Sequence, residues 1–206
     1  PLHSLVKIEK LVIQIAGITG NSDMNVKKRA LVPMCADNGV VAEGVTQTGQ
    51  EVTAIVAENF LSGDTSACVM SRQCGTRVIP VDIGMAVDTK VPTDLKVAMG
   101  TRNMVKEPAM TREEAVRGIE AGIEMVSRLT SEGYGLFATG EMGIGNTTTS
   151  SAVASVLLDR PVEEMTGRGA GLSSDGLSRK ITAIRKAIEK HQPDPEDPID
   201  VLAKVG

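Results

Sequence analysis

YGLFATGEMGIGNTTTSSAVASVLL, residues 134–158, compresses a strand, a glycine turn and a helix into twenty-five positions. The first apolar run is short and reads as a strand. Gly140, Gly143 and Gly145 make the turn that follows, with Glu141 inside it. From Asn146 to Leu158 the small apolar pattern predicts a helix, opened by Asn146, Thr147, Thr148 and Thr149. A helix N-terminus that offers backbone N–H groups and hydroxyls suits a phosphate. The alternative is a strand-to-helix turn with capping hydroxyls. No Gly-Lys-Ser/Thr follows, so this is not a Walker A loop, and the GxGxxG spacing is not met. Glu141 beside a phosphate is repulsive unless it has a cationic or hydroxyl partner, or it is a solvated loop charge.

The same strand-then-loop pattern recurs upstream. RALVPMCADNGV (29–40) and TRVIPVDIGM (76–85) each read as one strand ending in an Asp and a Gly. Between and around them lie helical stretches at about 4–17, 50–61, 64–74, 111–133 and 174–191. Asp64 is a candidate cap for the third, Gly75 its stop, and Thr111-x-x-Glu114 is a capping box for the fourth. Strands alternating with helices predict an α/β fold with a mostly parallel sheet covered on both faces. Ligands then gather at the strand carboxyl ends, here ADNGV, DIGM and GEMGIGN.

The other loops carry weaker signals. TGRGAGLSSDGLSRK (166–180) holds Arg168 between glycines and Lys180 about two helical turns in, where it can face a phosphate; a glycine hinge with a solvated basic pair is the competing reading. Asp37 and Glu43 flank a tight turn and suggest either a metal or acid–base pair or an Asx-turn. Arg102 and Asn103 in GTRNM are candidate anion or carboxylate contacts.

Composition narrows the classes. The 206-residue chain is long enough for a sizeable core, with net charge −4 and three aromatic residues, Tyr134, Phe60 and Phe137. Neither a basic footprint nor stacking platforms for nucleic acid are present. No apolar run is long enough for a membrane span, and no signal-peptide pattern opens the chain. Cys35, Cys68 and Cys74 read as reduced thiols of a cytoplasmic protein, and His3 and His191 as isolated residues. Both ends read as cuts through a longer protein.

In this order the motifs PLHSLVKIE, MCADNGVVAEGV, QEVTAIVAENF, VDIGM, GTRNM, TGEMGIGNTTT, TGRGAGL with Lys180, and QPDPEDPIDVLAKVG resemble the nicotinate-nucleotide:dimethylbenzimidazole phosphoribosyltransferases, over almost the whole chain. The resemblance implies a Rossmann-like parallel sheet with part of a small helical domain: an N-terminal helical segment over 1–28 and an α/β domain over 29–206, incomplete at its C-terminus. It implies a homodimer that transfers phosphoribose from nicotinate mononucleotide to a benzimidazole-type base, releasing nicotinate and giving α-ribazole 5′-phosphate for the cobalamin lower ligand, without metal or cofactor. By resemblance Gly143, Gly145, Asn146, Thr147, Thr148 and Lys180 contact phosphate, with Arg168 nearby. Glu141 lies on the ribose or phosphate side, and Asp37, Asn38, Gly39 and Gln50 flank the base pocket. The family's general base is a Glu in a Gly-rich C-terminal segment, and no residue of this chain takes that role. Two departures stand out: His3 and Val6 replace glycines of the N-terminal loop, and Asn38 stands where some relatives have His. A non-catalytic nucleotide-binding module, or another sugar-phosphate enzyme with metal on Asp37 and Glu43, are the competing readings.

Overall fold

The computed structural model describes residues 4–206. The described elements run α1 (Lys7–Thr19), β1 (Arg29–Ala36), a 3-10 turn (Gly39–Glu43), α2 (Glu51–Ser62), α3 (Ser66–Gln73), β2 (Thr76–Val78), β3 (Val81–Gly84), α4 (Arg112–Ser131), β4 (Leu136–Met142), α5 (Asn146–Leu157), α6 (Val162–Met165), α7 (Ser174–His191) and α8 (Pro198–Val205). All strand pairings are parallel and converge on β1. β4 runs beside β1 from Arg29↔Leu136 to Cys35↔Met142. On the other edge β2 pairs Arg29–Leu31 and β3 pairs Met34–Ala36.

The strand expected over 76–85 is therefore two strands, and the reason is chemical. Val78 faces Leu31 and Val81 faces Met34, so Pro33 lies opposite the break that contains Pro80. Neither proline has an N–H to give to a ladder. A proline in a central strand is normally excluded. Here the neighbouring strand is interrupted at the same level, and the β1–β4 ladder continues past Pro33↔Gly140.

Helices cover both faces of the sheet around β1 and β3, whereas no residue of the edge strand β4 is buried. On one, Ala121, Met125 and Leu129 of α4 pack on Ala30, Val32 and Val81. On the other, Ala57 and Phe60 of α2 and Cys68 of α3 pack on Cys35. A third apolar cluster joins Ala152 of α5, Ala183, Ile184 and Ala187 of α7, and Val201 and Val205 of α8. Burial of a side chain such as Ile184 contributes about 2 kcal/mol, and this cluster seats α7 against α5.

Local signals set most boundaries. Thr111 Oγ1 accepts the Glu114 N–H and Glu114 Oε2 accepts the Thr111 N–H, which completes the capping box of α4. Ser173 caps α7 by accepting the Gly176 N–H. The cap of α3 is Thr65 rather than Asp64: its hydroxyl accepts the Cys68 N–H at 3.1 Å, while Asp64 is bonded to Ser62. The stretch after QPDPEDP is a helix, α8, with Asp197 as its cap and Pro198 in its first turn. Val6, before α1, has φ 41°, the left-handed region expected to resist a β-branched residue. His3 lies outside the described residues.

Candidate functional site

The turn between β4 and α5 rests directly on the end of β1. A Cβ added at Gly143 would stand 2.3 Å from the Ala36 carbonyl oxygen. Gly145 has φ 94°, and a Cβ there would meet Val41 at 2.9 Å. Only glycine fits either place. The residue between them is held from two sides: the Ile144 N–H donates to Thr53 Oγ1 at 3.0 Å, and Asn38 Nδ2 donates to the Ile144 carbonyl at 3.1 Å.

Beyond the turn lies a cavity of about 130 Å³, lined by Gly143–Thr147, Val45–Thr48 and Arg168–Leu172 without Gly171. Lys180, on α7, stands behind the cavity wall rather than on it and reaches it through Thr147. Its side chain is 1% exposed, and Nζ donates to Thr147 Oγ1 at 2.7 Å and to the Gly167 carbonyl at 3.2 Å. Among the described residues no carboxylate is paired with it. Burial alone pushes the Lys180 ammonium below the usual lysine range. A buried cation without a counter-ion is costly unless an anion joins it. The adjacent N-terminus of α5 adds positive potential at the same point.

Arg168 lines this cavity, but its guanidinium is engaged within its own loop, donating to the Leu172 carbonyl and to Ser174 Oγ. Gln47 Nε2 donates to the Gly171 carbonyl and so ties the loop after the 3-10 turn to the loop before α7.

On the sheet side of the turn opens a larger cavity of about 760 Å³. Glu141, Asn38, Thr101, Met142 and Ser150 lie on its walls, with apolar residues such as Met34, Val153 and Leu157. Glu141 is exposed there. The glycine turn thus separates two compartments, one small and cationic, the other wide, mostly apolar and edged by a carboxylate.

The remaining predicted residues line neither cavity. Asp37 is 2% exposed and its Oδ2 accepts the Ala86 N–H at 2.8 Å, while Oδ1 has no partner. The Gly39 N–H donates to Thr101 Oγ1, and Gln50 Nε2 donates to the Asn38 carbonyl. Thr148 is fully buried, its hydroxyl without a partner. Asp37 and Glu43 do not converge: Glu43 accepts from Asn103 Nδ2 at 2.6 Å. Among the described residues no three His, Cys, Asp or Glu side chains gather as a metal centre. Arg102 forms an ion pair with Glu114 at 2.6 Å, so Arg102 and Asn103 both meet carboxylates of the chain itself.

Sequence reading missed Gln47 and Thr53. Gln47 gave no signal. Thr53 shares the buried face of α2 with Ala57 and Phe60, and a lone hydroxyl on that face is the sign that was available.

Among the described residues no helix is long and apolar enough to cross a membrane. The family whose sequence model carries the name DBI_PRT and the description phosphoribosyltransferase matches residues 1–206. The chain is 51% identical to the nicotinate-nucleotide–dimethylbenzimidazole phosphoribosyltransferase of Ruminiclostridium cellulolyticum, covering 100% of this chain and 59% of that protein. To the protein of the same name in Clostridium tetani it is 49% identical, covering 100% and 58%. A crystal structure of CobT from Thermus thermophilus matches with TM-score 0.90 and 37% identity, over 100% of this chain and 62% of that one. The chain spans about three fifths of the length of the curated relatives it matches.

Proposed function

Because the chain belongs to this phosphoribosyltransferase family, we propose that it carries the nucleotide-binding part of an enzyme that transfers phosphoribose from nicotinate mononucleotide to a benzimidazole-type base. The products are nicotinate and α-ribazole 5′-phosphate, used for the lower ligand of cobalamin. The names of its relatives support this choice of substrates. So does the division of the site. The small cavity above Lys180 takes the 5′-phosphate, and the wide cavity beside Glu141 takes the ribose and the flat rings.

The single observation that carries the reading is Lys180, a buried ammonium bonded to the first turn of α5, with no carboxylate paired to it among the described residues. Loss of nicotinate from a cationic pyridinium nucleotide proceeds through an oxocarbenium-like transition state. A carboxylate across the glycine turn from the phosphate stabilises that developing charge electrostatically, and Glu141 takes this role. The working protein is taken to be a cytoplasmic homodimer; the exposed apolar row Leu5, Ile8, Leu11 and Ile18 on and before α1 supports a partner surface there.

The test is calorimetric titration of this chain with nicotinate mononucleotide. Binding to the wild type that Lys180→Met lowers at least about thirty-fold is the expected result, given about 2 kcal/mol for a charge-assisted phosphate contact. Binding that ignores Lys180→Met overturns the assignment.

A further inference from the structure

At the central residue of the phosphate-side turn, Ile144, neither the backbone N–H nor the carbonyl is bonded to the strand the turn leaves or the helix it enters. Both backbone polar groups of that residue are taken by side chains from a different part of the chain. Thr53 Oγ1, on α2, accepts the N–H at 3.0 Å, and Asn38 Nδ2, at the end of β1, donates to the carbonyl at 3.1 Å. The backbones of the two residues are linked through Gln50. Gln50 Nε2 donates to the Asn38 carbonyl at 3.0 Å, and the Gln50 carbonyl accepts the Thr53 N–H at 2.9 Å. Thr53 is 0% exposed and Asn38 8% exposed, so water does not compete strongly for either bond. On either side of Ile144 the Gly143 and Gly145 backbones give the turn freedom that a substituted chain lacks.

We propose that Thr53 is a positioning residue: its hydroxyl, with Asn38 opposite, fixes the Ile144 backbone so that the turn and the first residues of α5 meet an incoming phosphate already in place. This rests on the phosphate assignment of the cavity above Lys180. Preorganised backbone groups bind an anion without first spending free energy on ordering the loop. In the absence of the Thr53 acceptor the Ile144 N–H must find another partner, and two glycines let the turn move to reach one.

The experiment uses this chain with inorganic phosphate as probe, measured by calorimetry, alongside amide hydrogen exchange at Ile144. Thr53→Val keeps the shape and removes the acceptor; Thr53→Ser restores it. Expected are phosphate binding about ten-fold weaker in Thr53→Val, within about two-fold of wild type in Thr53→Ser, and an Ile144 amide that exchanges slowly in the free wild type and fast in Thr53→Val. Should Thr53→Val not fold, the wild-type exchange and Thr53→Ser carry the test, and a rapidly exchanging Ile144 amide overturns the proposal. Wild-type-like phosphate binding by folded Thr53→Val overturns the role of Thr53 while leaving the cavity assignment intact. A wild type that binds no phosphate overturns both together.

Discussion

Lys180 Nζ lies 2.7 Å from the hydroxyl of Thr147, joining the middle of α7 to the first turn of α5 across one buried hydrogen bond. A lysine donates and cannot accept, so this bond and the one to Gly167 satisfy only two of its three protons. The arrangement trades stability of the free protein for affinity. Lys180→Met is expected to raise the stability of the ligand-free chain by about 1 kcal/mol while removing phosphate binding, read by denaturant melts with and without phosphate. The pH dependence has a defined sign. A lysine with a lowered folded pKa contributes stability above its unfolded value near ~10.4, and that contribution is lost as pH falls through the folded value. Phosphate affinity runs the other way, declining as pH rises through the lowered Lys180 pKa.

Glu114 supplies a second titration. The Arg102 guanidinium beside it, and then the Thr111 N–H, hold its carboxyl below the usual range. Such a group stabilises the fold above its unfolded pKa of ~4.3 and loses that contribution as pH falls through the folded value. Glu114→Gln is expected to cost about 1 kcal/mol at pH 7 and to flatten the stability profile below pH ~4, measured by urea melts across the acid range.

The three thiols are expected to react unequally. Burial, and then the negative charge of Asp82, push the Cys35 thiol up to about 12. Cys68 is buried and Cys74 exposed. At pH 8 an aromatic disulfide reagent is expected to label Cys74 about a thousand-fold faster than Cys35. Equal rates in the native state would contradict the packing of α2 and α3 on the sheet.

Val6 holds φ 41° and ψ −98° while 63% exposed, so its strain is not offset by burial. Val6→Gly is expected to stabilise the chain by about 1 kcal/mol or less, because relief of strain exceeds the added entropy of the unfolded chain. Thermal unfolding of the two proteins checks this.

The elements that were readable from sequence are those whose signals are local. The capping box of α4, Ser173 before α7 and the apolar run of β1 each depend on residues within four or eight positions of one another. The glycine turn was also legible, because Gly143 and Gly145 announce a backbone that tolerates no side chain. What could not be read depends on partners distant in the chain. Pro80 gains its meaning only opposite Pro33, and Thr53 only once Ile144, 91 positions later, is laid across it. Arg168 is a further case: its place on the wall of the small cavity follows the glycine loop, but its bonds to the Leu172 carbonyl and Ser174 Oγ depend on how that loop folds back on the start of α7.

The facing prolines divide the β2–β3 side of β1 into two separate ladders, while β4 pairs with β1 without a break. β2 can detach from Arg29–Leu31 without breaking any hydrogen bond that holds β3 to Met34–Ala36, since no ladder joins β2 to β3. Fraying of β2 near Thr76 therefore leaves in place the ladders at the carboxyl end of β1, where Asn38 grips the glycine turn. The same imino acids that interrupt a strand act as a firebreak for the site.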